Sequence, residues 1–110
     1  MDNYNFGDIV LLQLPFTDPN VSKRRPVLVV LDVGDRDIVV MRITSKITRT
    51  PFDIEVTNWQ QAGLLRKSIV RTHKVNTIEK NLVDRQLGRL TEGDRQRVRD
   101  RIRQLWLGIR

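Results

Sequence analysis

The feature that most constrains this chain is a continuous apolar run at residues 27–31, directly after Pro26. A short run that is apolar on both faces is typical of a strand buried inside a sheet. Three cationic residues, Lys23, Arg24 and Arg25, precede the proline. We therefore predict a basic cluster held at a rigid edge of the core, where Arg side chains are well suited to bind phosphate oxygens.

The charge of the chain favours an anionic partner. The chain has 110 residues, of which 39% are hydrophobic, and this suits one domain, residues 1–110, with one core. Its formal net charge is +7. Small basic domains typically bind polyanions or an acidic protein, although a basic surface that only confers solubility carries the same charge.

Several classes of protein are excluded or disfavoured by composition. Cysteine is absent, so disulfides and thiolate metal sites are excluded, and a single histidine argues against a zinc centre. No apolar stretch approaches ~18 residues, and residues 1–7 lack the pattern of a secretory signal. We therefore expect a cytoplasmic protein without a membrane span.

Most of the chain has the patterning of short strands. The predicted strands are residues 8–14, 26–31, 37–44, 52–56, 68–75 and 86–90. Turn chemistry predicts a loop at 15–22, a hairpin turn at 32–35 and a polar loop at 45–51. Short helical segments are predicted at 57–62, ended by Gly63, and at 79–83.

The last segment has the pattern of a helix that begins at the cap residue Thr91 and ends at Gly108. Apolar residues recur along one helical face, at Val98, Ile102, Leu105, Trp106 and Ile109, while the other face is rich in Arg. The predicted class is α+β, mainly β: a small barrel or half-barrel of antiparallel strands packed by a C-terminal helix.

The best candidate site lies where two strands of a predicted hairpin end. If residues 26–31 and 37–44 pair antiparallel, Arg25 and Thr44 lie at the same open end. A guanidinium and a hydroxyl there can both hydrogen-bond one phosphate. Thr44 and Ser45 also suit ordinary capping of a turn, and both roles stay open at this point.

A second candidate pair is Arg71 and His73, which point to the same face of a predicted strand. A cation beside a group that titrates near neutrality suits proton transfer at a phosphate, although a lone histidine is more often structural. Further candidate contacts with single-stranded nucleic acid are basic residues in loops or beside these pairs, together with one tryptophan in a polar stretch: Lys46, Arg49, Arg66, Lys67, Lys74 and Trp59. Trp59 suits base stacking or packing on the barrel equally well.

Other catalytic motifs are absent from the sequence. It contains no Gly-rich phosphate loop, no nucleophile elbow and no His–Glu metal signature. A nuclease built from these residues therefore has to work without a metal ion. RNA permits this because its 2′-OH is an internal nucleophile, and cleavage then needs a base, an acid and cationic stabilisation of the phosphorane.

In order and spacing, eight short segments of the chain resemble the PemK/MazF (Kid-like) toxins of type II toxin–antitoxin systems. These are Gly-Asp-Ile-Val at 7–10, Pro-Phe-Thr-Asp at 15–18, Lys-Arg-Arg-Pro-Val-Leu-Val-Val at 23–30, Ile-Thr-Ser at 43–45, Gly-Leu at 63–64, Ser-Ile-Val-Arg at 68–71, Thr-Ile-Glu-Lys at 77–80 and Leu-Gly-Arg-Leu at 87–90. The resemblance runs from about residue 6 to the terminal helix.

The resemblance implies an SH3-like barrel with a C-terminal helix, usually as a homodimer. It implies a sequence-specific, metal-independent endoribonuclease that cuts single-stranded RNA, mainly mRNA, and leaves a 2′,3′-cyclic phosphate and a 5′-OH. It also implies a cognate antitoxin whose acidic segment covers the basic groove, and RNA recognition by loops around residues 15–24 and 45–51.

By position, the resemblance assigns Arg25 to stabilising the phosphorane or acting as the acid, and Thr44 to hydrogen-bonding the scissile phosphate. Arg71 matches an Arg that one branch of the family uses, and His73 stands where several members have Asp or Glu, so we hypothesise that His73 is the general base.

The alternative is a non-catalytic module on the same barrel, similar to relatives that poison DNA gyrase, in which the helix end would matter: Trp106, Gly108, Ile109 and Arg110.

Overall fold

In the part of the chain that the structure describes, six antiparallel strands form one sheet, and one long helix follows them. The computed structural model describes residues 3–14 and 23–109, with the backbone alone for Leu14 and Lys23. The predicted loop at 15–22 therefore lies outside the described residues. The strands are β1 (Asp8–Leu14), β2 (Lys23–Leu31), β3 (Asp37–Thr44), β4 (Asp53–Glu55), β5 (Ile69–Glu79) and β6 (Val83–Arg89), and the helix is α1 (Glu92–Leu107).

The strands are ordered β4-β5-β3-β2-β1-β6, and every neighbouring pair is antiparallel. This arrangement confirms the predicted mainly β class with a C-terminal helix. In the described part of the chain, β4 and β6 form the two edges and do not pair with each other. The sequence predicted either a barrel or a half-barrel, and the open sheet corresponds to the half-barrel.

The strand predicted to be buried on both faces, β2, lies in the middle of the sheet. Leu28 is fully buried in a core that also holds Val98 of α1. Val27 and Val29 belong to a second core on the opposite face. Burial of such side chains contributes about 1.5–3 kcal/mol each, so β2 contributes to both hydrophobic cores.

A buried ion pair anchors the hairpin end of β2. Lys80 Nζ lies 2.9 Å from a carboxylate oxygen of Asp32, and both side chains are shielded from solvent. The backbone N–H groups of Tyr4 and Gly34 also donate to this carboxylate, at 2.7 and 2.8 Å. Burial alone would raise the pKa of Asp32, but these hydrogen bonds outweigh it and hold the pKa below its usual value.

The predicted helical segment at 57–62 is wrong, because the structure has hydrogen-bonded turns there. The Ala62 N–H donates to the Asn58 carbonyl at 3.1 Å, but the next N–H, of Gly63, donates to Gln60 instead. The N–H groups of Thr57 and Asn58 donate to the Asp94 carboxylate of α1 at 3.3 and 3.0 Å. This long-range contact, which a local pattern does not contain, competes with helical pairing.

Strand β5 is longer than predicted because it continues through a bulge. Arg71 and Val75 pair with Arg42 and Met41, which are adjacent on β3, so residues 72–74 have no partner on β3. Thr72 is held instead on the β4 side of β5. Its N–H and hydroxyl both donate to the carbonyl of Phe52, the residue before β4, at 2.9 and 2.7 Å. A bulge of this kind redirects side chains and is common beside functional sites.

The predicted ends of α1 are confirmed. The Asp94 N–H donates to the Thr91 hydroxyl at 3.5 Å, and Gly108 forms the C-cap. The apolar face is buried only in its first half: Val98 is buried, whereas Trp106 and Ile109 are 68% and 62% exposed. The predicted one-turn helix at 79–83 is also present, as a turn of 3-10 helix at Lys80–Leu82.

Two glycines allow the turn after residue 62 to touch β6. Gly63 has φ +88°, and a Cβ there would lie 2.2 Å from the Leu87 carbonyl oxygen. A Cβ on Gly88 would lie 2.2 Å from the Ala62 carbonyl oxygen. The two backbones are thus in direct contact, and this brings Leu64 and Leu87 to one side of the sheet.

We expect Gly88→Ala to destabilise the fold by about 1–3 kcal/mol, because the new methyl group would displace the backbone at Ala62. Chemical denaturation of the purified variant measures this loss. The matched control is Gly93→Ala, since a Cβ there meets nothing within 4 Å. A Gly88→Ala protein as stable as Gly93→Ala would contradict the close contact.

We expect Asp94→Asn to lower the free energy of unfolding by about 1–3 kcal/mol at pH 7, because the carboxylate loses charge-assisted hydrogen bonds. Burial would raise the pKa of Asp94, but donors from Asn58, Arg97 and Thr57 lower it overall. Its stabilisation is therefore full above the unfolded pKa of about 3.9 and is lost as pH falls through the lower folded value.

The difference between wild type and Asp94→Asn should consequently be largest at neutral pH and shrink below about pH 4, as measured by urea unfolding at several pH values. Asp100→Asn is the control on the same helix, because the side chain of Asp100 is 54% exposed and its distance to Arg103 is 3.8 Å. An equal loss in both variants at all pH values would contradict the role of Asp94.

Candidate functional site

The ends of β2 and β3 bring Arg25 and Thr44 together. Val27 pairs with Arg42, and continuing this register by two residues places Arg25 beside Thr44. Both residues line one groove with a volume of about 670 Å³. The hairpin therefore has the geometry that the sequence predicts at its open end.

The hydroxyl of Thr44 has two functions available at once. Its oxygen accepts a hydrogen bond from the Lys46 N–H at 3.1 Å, which is the turn capping expected of such a residue. A hydroxyl that accepts in this way still carries its own hydrogen. Thr44 can therefore cap the turn and donate to an anion in the groove, with its orientation set by the turn.

The groove combines an apolar surface with exposed cations. Its apolar lining is buried or half-buried and consists of Leu11, Pro26, Ile43, Leu64 and Leu87, with exposed Leu65 beside them. Its cations are all exposed: Arg24, Arg25, Lys46, Arg66 and Arg85. Among the described lining residues there is no carboxylate. A groove lined by five cations and by no carboxylate attracts a polyanion and raises its local concentration.

One rim cation has an ion-pair partner outside the groove. Arg24 Nη1 lies 3.2 Å from Asp84, and the two side chains are 50% and 31% exposed. An exposed pair of this kind contributes only about 0–1 kcal/mol. Arg24 is therefore available to an anionic ligand at little energetic cost.

Arg71 and His73 do not line this groove. Arg71 lies on the same face of the sheet as Thr44, because Thr44 pairs with Ile69 and Arg42 with Arg71. Its Nε donates to Asp53 at 3.1 Å. Burial would raise the pKa of Asp53, but the Thr50 N–H and Arg71 hold it below its usual value, so Arg71 has a charged partner of its own.

His73 lies in the β5 bulge and packs against an aromatic ring. The ring centroids of Phe52 and His73 are 5.6 Å apart, with planes inclined at 46°. The Nδ1 atom of His73 is buried without a hydrogen-bond partner among the described residues. These contacts are those of a packed side chain, and the catalytic roles of Arg71 and His73 stay predictions.

The other predicted contacts are divided among several places. Ser45 and Lys46 line the groove, while Arg49 lines a neighbouring cavity. Lys74 is exposed in the β5 bulge and lines neither. Trp59 is half-buried against the core, which is the packing alternative of the two that its sequence context allows. The side chain of Lys23 lies outside the described part of the chain, as does Arg110.

One cation of the groove, Arg85, is not predicted from the sequence. It lies on β6 and pairs with Leu11 of β1, so it enters the groove through the pairing of the first and last strands. The segment around Arg85 has no motif, and its local pattern contains no signal for this neighbour.

Among the described residues, no three His, Asp or Glu side chains are grouped as metal ligands, and no helix is long and apolar enough to cross a membrane.

The fold is shared by many solved structures, and three of them, each distant in sequence, show the likeness. An endoribonuclease in complex with its cognate antitoxin, from a mycobacterial species, has a TM-score of 0.78 and 17% identity over 97% of both chains. The Mycobacterium tuberculosis toxin MazF-mt6 has a TM-score of 0.73 and 22% identity over 90% of this chain and 95% of that one. The MazF of a MazE–MazF complex from Deinococcus radiodurans has a TM-score of 0.75 and 18% identity over both full chains.

A comparison with family models identifies the family, whereas a comparison with curated protein sequences finds no significant match. Residues 5–106 match the model described as PemK-like, MazF-like toxin of type II toxin–antitoxin system. The match covers nearly the whole chain, including the groove residues and all of α1 except its last residue. The chain therefore belongs to the PemK/MazF-like family of toxins of type II toxin–antitoxin systems.

Proposed function

We propose that this toxin is a sequence-specific endoribonuclease that cuts single-stranded RNA, mainly mRNA, without a metal ion. The observation that carries the proposal is that Arg25 and Thr44 line the same basic groove. Two of the similar structures are described as endoribonucleases, which supports the same class of activity here. The proposed site of action is the cytoplasm, where mRNA is found.

In the proposed reaction, the 2′-oxygen of the RNA attacks the neighbouring phosphorus and the bond from phosphorus to the 5′-oxygen breaks. The 2′-OH gives its proton to a base, and the leaving 5′-oxygen takes a proton from an acid. The products are a 2′,3′-cyclic phosphate and a 5′-OH. No co-reactant is consumed, because the nucleophile belongs to the substrate.

Arg25 and Thr44 would act on the charge that develops at phosphorus. The guanidinium of Arg25 donates to non-bridging oxygens of the phosphorane, and the Thr44 hydroxyl donates to the same phosphate. Thr44 is already oriented by the Lys46 N–H, so little reorganisation is needed when RNA binds. The other exposed cations of the groove would hold the neighbouring phosphates of the strand.

The proposed protein partner is a cognate antitoxin with an acidic segment. Two of the similar structures are described as a complex with a cognate antitoxin or with MazE. A groove with five exposed cations and an apolar lining suits an acidic peptide that also carries apolar side chains. Such a segment would exclude RNA by occupying the same groove. We also propose a homodimer, as the family resemblance implies.

We expect Arg25→Ala to lower the cleavage rate of single-stranded RNA in excess EDTA by about 10²–10³-fold, the loss typical when a transition-state donor is removed. Thr44→Ala should lower it by about 10–100-fold, as for one hydrogen bond to a charged group. End mapping of a mixed RNA substrate measures both effects. Controls with the same changes outside the groove are Arg36→Ala, in the turn at the opposite end of the hairpin, and Thr77→Ala on β5.

Undiminished cleavage by Arg25→Ala and Thr44→Ala would remove this site from the proposal. If folded wild-type protein makes no cuts, the enzymatic function itself fails, and the non-catalytic alternative takes its place.

A second expectation concerns His73, which packs on Phe52 and does not line the groove. A general base has to come within about 3 Å of the proton that it takes. His73 would therefore have to turn toward the groove to act as the base hypothesised from the sequence, and in that case His73→Ala should change the pH dependence of the cleavage rate, measured from pH 5 to pH 9. A pH dependence that is unchanged in His73→Ala, or that changes equally in Lys74→Ala, would remove His73 as the base.

A further inference from the structure

A second cavity adjoins the groove and differs from it in charge. It has a volume of about 660 Å³ and shares Ser45 and Ser68 with the groove. Its lining includes two cations and two carboxylates: Arg49, Lys67, Asp53 and Glu55. An RNA strand held by phosphate contacts in the groove can therefore continue into a cavity that is neutral overall.

The two carboxylates of this cavity differ in whether their oxygens already have hydrogen-bond partners. Asp53 is nearly buried and accepts hydrogen bonds from Arg71 and from the Thr50 N–H, so its oxygens are engaged. Glu55 is exposed, and among the described residues its carboxylate has no ion pair and no hydrogen bond. Glu55 is thus the carboxylate that is free to meet a ligand.

The strand register fixes the position of Glu55 relative to Thr44. Thr44 pairs with Ile69 across β3 and β5, and Ile69 pairs with Glu55 across β5 and β4. Directly paired residues point to the same face, so Glu55 faces the same side as Thr44, about 10 Å away across two strand spacings. Half-buried Ile69 lies between them and lines the second cavity.

The backbone of Glu55 is also held from the other side. The Arg97 guanidinium of α1 donates to the Glu55 carbonyl, while the same arginine pairs with Asp94. Edge strand β4 is therefore tied both to β5 and to the helix. The backbone that carries Glu55 is thus fixed in place, while its exposed carboxylate is free to meet a ligand.

A free carboxylate beside a phosphate groove repels phosphate, but it accepts hydrogen bonds from amino groups of bases. Single-stranded RNA exposes the Watson–Crick edges of its bases to side chains. Glu accepts from the exocyclic amino group of cytosine, and adenine and guanine carry amino groups as well. Uracil has carbonyl oxygens in place of the amino group, and its N3–H, the one donor on that edge, lies between two oxygens that a carboxylate repels.

We propose that this second cavity is a base-reading site in which Glu55 selects an amino-bearing base, namely adenine, cytosine or guanine, against uracil at one position near the cut. Exposed Ile47 and half-buried Ile69 give the base apolar surface, and Arg49 and Lys67 reach the adjoining phosphates. The inference rests on the proposed RNA substrate and adds which residue reads the base.

The test measures base preference in two ways, with oligonucleotides varied at each position in turn. Cleavage in EDTA is measured on RNA, and equilibrium binding is measured on the same sequences made non-cleavable by 2′-O-methyl groups. We expect wild-type protein to disfavour uracil at one position. Glu55→Gln should reduce that preference on the order of tenfold, because the amide nitrogen can donate to uracil oxygens and one carboxylate oxygen is lost.

The matched control is Glu79→Gln, at the far end of β5, which removes the same charge without touching the cavity. A uniform gain in affinity for all sequences in both variants is general electrostatics and contradicts the inference. An unchanged base profile in Glu55→Gln also overturns it, as does a wild-type protein with no position that disfavours uracil. If RNA is bound but not cut, the proposed activity fails while the binding measurement still decides this inference.

Discussion

The arrangement of the site depends on how β2 is anchored in the sheet. The apolar run of β2 is bracketed by Arg25 at one end and Asp32 at the other. Asp32 is buried against Lys80, and a shift of β2 by one residue would separate this pair or draw Arg25 toward the interior. An unpaired buried charge is far more costly than any gain from the shift. The register that places Arg25 beside Thr44 is therefore set at the opposite end of the same hairpin.

Two different electrostatic environments lie side by side on this framework. The groove has exposed cations around an apolar surface, which favours a phosphate chain, whereas the adjoining cavity offsets its cations with Asp53 and Glu55. Asp53 is engaged with Arg71, so its charge is largely balanced inside the protein. In the function proposed above, affinity for the RNA strand and discrimination between bases would therefore belong to separate surfaces, which is the usual division between phosphate contacts and base contacts.

The helix contributes to the site without lining it. Asp94 of α1 receives the N–H groups of Thr57 and Asn58, and Arg97 donates to the carbonyl of Glu55. The turn that begins at residue 57 leads through Gly63 to Leu64, which lines the groove. The helix therefore holds one wall of the groove through Asp94 and the edge strand of the second cavity through Arg97.

Local sequence patterns were sufficient to predict the strands with strong patterns, the ends of the helix and the proximity of Arg25 and Thr44. These depend on local features: the alternation of side chains, a capping hydroxyl and a hairpin turn between adjacent strands. The sequence did not predict the turns at 57–62, where its local pattern favoured a helix. It also did not predict the β5 bulge or the place of Arg85 in the groove. They depend on Asp94, on the Phe52 carbonyl and on the pairing of β1 with β6, all distant along the chain. These features are visible only in the folded chain, because hydrogen bonds between distant segments override weak local preferences.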